Sequence, residues 1–196
     1  RDSKDSGVSR FGKAVIEEMN RLGMIVDLSH AGKQTCIEAI EFSNKPVAIS
    51  HANPTFFHKS IRNIDNDVLK QLANKNGFIG LSLYPYHLKN LGECTAEEFC
   101  SMIKELINLI GEDNIGIGSD LCLNWPDDVV MWMRNGKWTK KIDYGESKDK
   151  NPKWPKLPSW YKQPSDLKSL FTIMCENNIS EKVAAKIVGE NWFNFM

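Results

Sequence analysis

Two short segments of the same form constrain this chain most: Val-Asp-Leu-Ser-His (Val26 to His30) and Val-Ala-Ile-Ser-His (Val47 to His51). Each is mostly apolar and ends in a histidine. The first follows a helix-like stretch that closes at Gly23, and the second follows Pro46. Short apolar runs alternating with amphipathic helices predict a parallel sheet with helices outside. In such a sheet the C-terminal ends of the strands emerge on one side, where ligands bind. A third segment, Ile-Gly-Ile-Gly-Ser-Asp, ends at Asp120. The spacing therefore predicts two imidazoles and one carboxylate gathered at one end of a sheet.

The elements follow from local signals. Residues 9–22 read as a helix capped by Ser9 and stopped by Gly23. Phe11, Val15, Met19 and Leu22 fall on one helical face. Met24 to Leu28 reads as a buried strand. A helix follows over about Lys33 to Phe42, then a strand over Pro46 to Ser50. The next helix spans about Asp65 to Asn74, and Gly77 to Leu83 is an apolar strand. Thr95 opens a long helix with Glu97 and Glu98 in its first turn, which suits the helix dipole, and Gly111 stops it. Ile115 to Ser119 is the fourth strand. Two helices close the chain, about Ser165 to Asn177 and Glu181 to Asn191. Between them and Asp120 lies Leu121 to Pro164, which holds five of the six tryptophans. A loop this long is functional or disordered, and its aromatic content argues for function. It is expected to fold back over the site, with Trp125 or Trp132 near the pocket; the alternative is a flap packed on the outer helices or on another subunit.

Composition narrows the classes. Lys+Arg and Asp+Glu both total 25, giving a formal net charge of zero. That offers little footing for nucleic acid. No apolar run approaches the roughly 20 residues of a membrane-spanning helix. The polar opening Arg-Asp-Ser-Lys-Asp-Ser does not read as a signal peptide. Five scattered cysteines without a Cys-x-x-Cys pair read as reduced, mostly buried thiols. A cytoplasmic location is the corresponding expectation.

The chemistry-bearing residues come from the strand ends. His30 and His51 are expected to bind one metal ion, because neutral imidazole is a common ligand and zinc suits it. Two histidines do not complete a site, so a further ligand, a carboxylate, is expected. Asp120 follows two glycines that let backbone approach a ligand closely, and it is expected to transfer protons. Arg62 lies in the loop that begins at His51, and its fork suits a substrate carboxylate. Tyr84 follows the third strand and could face the same pocket or pack at its rim. His58 and His87 read as ordinary loop residues.

Longer runs carry a resemblance. Phe11 to His30, Pro46 to Asn53, Arg62 to Leu69 and Val188 to Phe193 resemble, in order, the membrane (renal) dipeptidase family of zinc peptidases. The resemblance implies a (β/α)₈ barrel with two zinc ions bridged by a glutamate, cleaving dipeptides. His30 and His51 match the two histidines of one zinc site. Arg62 matches the arginine that holds the substrate's C-terminal carboxylate, and Asp120 matches the acid that acts with the bridging water. Tyr84 falls near a substrate-contacting segment. No segment here matches the family's early His-x-Asp pair or its bridging glutamate. Many relatives continue Asp-Phe-Asp-Gly where this chain has Asp120-Leu121-Cys122-Leu123.

The resulting expectation is the C-terminal half of a (β/α)₈ TIM-type barrel: four parallel strands, outer helices and a long tryptophan-rich insert at about 121–164. Residues 1–196 would form one partial metallo-dependent hydrolase domain. Its function would be zinc-dependent dipeptide hydrolysis, with one partial zinc site here and little activity in the isolated chain. The alternatives are an amidohydrolase acting on another amide or a lactam, and a non-catalytic half-barrel that binds a partner. A dipeptide is the expected partner molecule, and a homodimer is open.

Overall fold

The local stop and start signals set most element boundaries. The computed structural model describes residues 5–129 and 153–196. Helix α1 runs Arg10–Leu22, with Ser9 Oγ accepting from the Gly12 N–H and Gly23 closing it in the left-handed conformation (φ 72°). Helix α2 is Lys33–Phe42, strand β1 is Ala48–Ala52 and helix α3 is Asn66–Asn74. Strand β2 is Phe78–Leu81, helix α4 is Ala96–Ile110 and strand β3 is Ile115–Ile117. Thr95 and Glu98 form a reciprocal capping box that starts α4. Helix α5 covers Leu167–Glu176. Helix α6, Glu181–Ala185, passes through a π-helical turn at Lys186–Glu190 into α7, Asn191–Phe195.

Three strands form one parallel sheet in the order β1-β2-β3. A fourth strand over Met24 to Leu28 does not form among the described residues. That segment contributes a single parallel bridge, Asp27 to Ala48. Leu28 N–H donates to the Ala48 carbonyl, and Ala48 N–H donates to the Val26 carbonyl. Among the described residues its one sheet neighbour is β1, so its ladder there is one-sided and short. Met24 and Ile25 are accordingly exposed.

The core lies between sheet and helices. Ile49, Ile79, Leu81 and Ile115 from the strands meet Ile40, Leu69, Leu72, Phe99, Ile103 and Leu106 from the helices, all essentially water-free. Each such side chain contributes roughly 1.5–3 kcal/mol of transfer free energy. The alternate strand positions point the other way. There the chain uses Phe78, Gly80, Gly116 and Gly118.

Helix α1 leaves most of its apolar face uncovered. Phe11, Val15 and Leu22 are 79%, 40% and 56% exposed, and Met19 is only half-buried. The buried positions are Ile16 and Asn20. Asn20 can be buried because its Oδ1 accepts from Ser43 Oγ at 3.2 Å. Periodicity identifies an apolar face but does not identify what covers it, and no described residue buries this one.

The arms of the tryptophan-rich segment fall partly within the described residues. Trp125 is 58% exposed. Trp160 donates to the Cys94 carbonyl and packs on Phe99 of α4, with ring centroids 5.2 Å apart. The returning arm therefore docks on an outer helix. Trp132 lies outside the described residues. No helix among the described residues is long and apolar enough to cross a membrane.

Candidate active site

The C-terminal ends of the strands are shaped by irregular backbone. In β1, Ala48 and Ile49 pair with Phe78 and Ile79, but Ala52 pairs with Leu81. Three steps along β1 thus face two along β2, which marks a bulge at Ser50 and His51. A bulge re-aims side chains and unpairs local backbone. The bulged peptide needs room, and two glycines provide it. A β-carbon at Gly80 or at Gly118 would overlap the Ser50 carbonyl oxygen.

His30 and Asp120 both sit in the left-handed region, at φ 69° and 53°. Histidine and aspartate tolerate it better than most side chains, though strain there of order 1–3 kcal/mol is usual and clusters at functional sites. His30 lies three residues past the Asp27 bridge. Asp120 lies three residues past β3, and Tyr84 three residues past β2. Parallel strands place all of them at one end of the sheet. Tyr84 is partly buried, and its ring edge meets His87 with centroids 5.3 Å apart.

The two histidines meet. His30 Nε2 and His51 Nε2 are 3.0 Å apart, with their rings edge-on. Burial, the Arg62 charge and His51 together lower the His30 pKa to about 4, so this ring is neutral at pH 7. Two imidazole nitrogens at this separation can be spanned by a pair of zinc–nitrogen bonds of about 2.0–2.1 Å. The donor set fits a zinc-type ion. Among the described residues, no group of three or more His, Cys, Asp or Glu side chains is arranged to hold a metal. Cysteine chemistry is also disfavoured: burial pushes the Cys94 and Cys100 thiols up to about 12 and 11.

Behind His51 lies a carboxylate that the sequence reading quoted but gave no role. Asp27 Oδ2 accepts from Ser50 Oγ at 2.6 Å. Asp27 Oδ1 accepts from Ser29 N, Ser29 Oγ and Ser50 N at 2.8–3.0 Å. Partial burial raises the Asp27 pKa, but these four hydrogen bonds outweigh it and leave it lowered. Ser50 Oγ in turn lies 2.8 Å from His51 Nδ1. The available signal was an aspartate inside an otherwise apolar strand.

Arg62 is held by a second network. It is 5% exposed, in the loop between β1 and α3. The guanidinium interacts with its surroundings, while its Nη2 atom is buried with no hydrogen-bond acceptor among the described residues. On either side of that loop, Asn53 and Asn63 are fully buried. Asn53 Nδ2 donates to the Ser82 and His87 carbonyls, and Asn63 Nδ2 donates to those of His58 and His87. These bonds tie the Arg62 loop to the Tyr84 loop. His87 is therefore not an ordinary loop residue: it is 1% exposed, with Nδ1 2.8 Å from Ser82 Oγ.

Comparison with known proteins assigns this architecture. Residues 1–127 match the family model described as membrane dipeptidase, peptidase family M19. The chain is 36% identical over 150 residues to the dipeptidase tcpJ of Claviceps purpurea, covering 70% of this chain and 35% of that protein. It is 33% identical over 121 residues to the dipeptidase aclJ of Aspergillus oryzae, covering 61% of this chain and 29% of that protein. The chain thus spans about a third of the length of these curated relatives. Among solved structures, an amidohydrolase from Pseudomonas aeruginosa superposes with a TM-score of 0.87 at 31% identity, over 98% of this chain and 57% of that one. A metallopeptidase from Rhodobacter sphaeroides, liganded with a phosphinate mimic of the dipeptide L-Ala-D-Ala, superposes with a TM-score of 0.73 at 23% identity, over 96% of this chain and 46% of that one. With the strand-end histidines, the parallel α/β sheet and a family match over most of its length, the chain belongs to the membrane dipeptidase family, peptidase family M19.

Proposed function

We propose that this chain supplies part of the active site of a zinc-dependent dipeptidase, comprising the C-terminal half of its barrel. The carrying observation is the 3.0 Å approach of His30 and His51 at the strand ends. In this reading the two rings hold one zinc ion through Nε2. The family resemblance assigns the remaining ligands, including a glutamate bridging a second zinc, to early barrel strands that no segment of this chain matches. When bound, zinc polarises the scissile carbonyl and activates water.

The chain's own residues do the rest. Arg62 binds the substrate's C-terminal carboxylate; its burial keeps that pairing out of bulk water and strengthens it. Asp120 takes a proton and returns it to the leaving amine. Tyr84 lines the substrate side of the pocket. A neutral His30 at working pH supports metal binding, since a protonated imidazole offers no lone pair.

The test uses the full protein, prepared with zinc and after chelation, on a panel of dipeptides, C-terminally amidated dipeptides and lactams. Dipeptide hydrolysis lost on chelation and restored by zinc is expected. Arg62→Ala should raise KM for the free-carboxylate dipeptide more than for its amide. Residues 1–196 alone should turn over poorly. The 31% identical amidohydrolase favours a second reading, an amide or lactam substrate outside the dipeptides. Turnover of lactams alone would select it, and chelator-insensitive hydrolysis would sink both.

A further inference from the structure

We propose that Asp27 and Ser50 are positioning residues that fix the tautomer of His51. The number of hydroxyl protons around Asp27 decides the tautomer, and the use of that tautomer rests on the metal reading above. A serine hydroxyl has one proton to donate. Ser50 gives its proton to Asp27 Oδ2 at 2.6 Å. Ser29 gives its proton to Asp27 Oδ1 at 2.8 Å. The 3.1 Å contact between Ser29 Oγ and Ser50 Oγ brings no further donor, since both protons point at the carboxylate. Ser50 Oγ can then only accept from His51 Nδ1, 2.8 Å away. His51 must carry its proton on Nδ1 and turn the Nε2 lone pair toward His30. Ser29 Oγ also accepts the His51 backbone N–H at 3.2 Å, which anchors the bulge.

The arrangement is a carboxylate–serine–histidine relay in place of a direct carboxylate–histidine contact. Such outer partners set ring orientation, and their loss typically costs 10–100-fold in metal affinity. The competing explanation is structural: Asp27 only splices the short edge segment to β1. Asp27→Asn separates the two. The amide nitrogen would donate to Ser50 Oγ, and Ser50 would then donate to His51 Nδ1. The His51 proton would move to Nε2, which blocks the metal-facing nitrogen.

The experiment uses the full protein with ¹⁵N-labelled histidine, first without metal. Nitrogen shifts of His51 should report an Nδ1–H tautomer in the wild type and an Nε2–H tautomer in Asp27→Asn. Ser50→Ala should leave a mixture, and Ser50→Thr should restore the wild-type signature. Zinc titration should show affinity about 10–100-fold weaker for Asp27→Asn and Ser50→Ala, and within about threefold for Ser50→Thr. An unchanged tautomer in Asp27→Asn, with only a lowered melting temperature, overturns the relay whether or not zinc binds. A His51→Ala variant that binds zinc as the wild type does would instead refute the metal reading. If His51→Ala loses zinc while Asp27→Asn keeps both affinity and tautomer, the relay alone fails.

Discussion

The two ends of the sheet are built from different materials. Where the strands start, the chain closes the structure with aromatic rings. Trp192 packs on Phe78 with ring centroids 4.3 Å apart, Phe195 lies 5.2 Å from the same ring, and Trp192 Nε1 reaches along β3 to donate to the carbonyl of its last residue, Ile117. Asn191 satisfies the Glu112 and Ile115 carbonyls. Where the strands finish, the fold is held by hydrogen bonds to Asp27, Asn53 and Asn63, with a bulge and two residues in the left-handed region. Apolar packing is non-directional and tolerates small shifts, whereas a hydrogen-bonded network specifies angles. One end stabilises the fold, and the other orients side chains at some cost in strain. This division is the one expected of parallel α/β sheets, where ligands bind outside the carboxyl ends of the strands.

The comparison is most severely tested by Trp192→Ala. Losing the Phe78 contact should destabilise the protein by about 3 kcal/mol, at the low end for a buried tryptophan because Trp192 is partly exposed. Urea unfolding measures that loss, and zinc affinity of the folded variant should stay within about twofold. A large loss of zinc affinity would mean that the two ends are coupled.

Gly118→Ala should act in the opposite sense. Its β-carbon collides with the Ser50 carbonyl, a backbone atom that cannot swing away. Overpacking of this kind costs about 1–3 kcal/mol. The displaced Ser50–His51 peptide should weaken zinc binding by at least tenfold, with Gly80→Ala behaving alike. Unchanged zinc affinity in both variants would show that the bulge does not aim His51.

The smallest effect separates the ends by acid. Phe78, Asn191, Trp192 and Phe195 have no ionisable side chain, while the other end holds His30 and Asp27. The folded His30 pKa, about 4, lies below its ordinary value of 6.5. As pH falls from 6.5 toward 4 the unfolded chain takes up this proton first, so stability present above 6.5 is lost over that window. Asp27, also lowered, adds a loss as pH falls through the carboxylate range. For the solvent-accessible His30 the discounted effect is on the order of 1 kcal/mol. Urea midpoints of the metal-free protein at pH 7 and pH 4.5 should differ accordingly, and His30→Gln should flatten the difference between pH 6.5 and 4.5. An equal slope in that variant would assign the acid sensitivity elsewhere.

Local chemistry made much of this legible without a structure. Ser9 and Gly23 bound α1, and Thr95 with Glu98 opens α4, because a cap acts within one turn of the residue that makes it. The placement of histidines, Asp120 and Tyr84 at one end followed from strand polarity alone. Other features depended on partners distant in sequence. The segment at Met24 to Leu28 has apolar strand composition, yet a one-sided neighbour reduces it to a bridge. The apolar stripe of α1 is real, but its burial is decided by what packs on it, and Ile16 and Asn20 face the core instead. The β1 bulge exists only relative to the register of β2, and the glycines that admit it are 30 and 68 positions from Ser50. His87 looked like a loop residue until two asparagines from another loop bound its carbonyl. Sequence determined where elements begin and which residues stand at their ends, since those are contests within a few residues. Tertiary structure decided the hydrogen bond each side chain makes and the tautomer it implies, because donors and acceptors are matched across strands rather than along them.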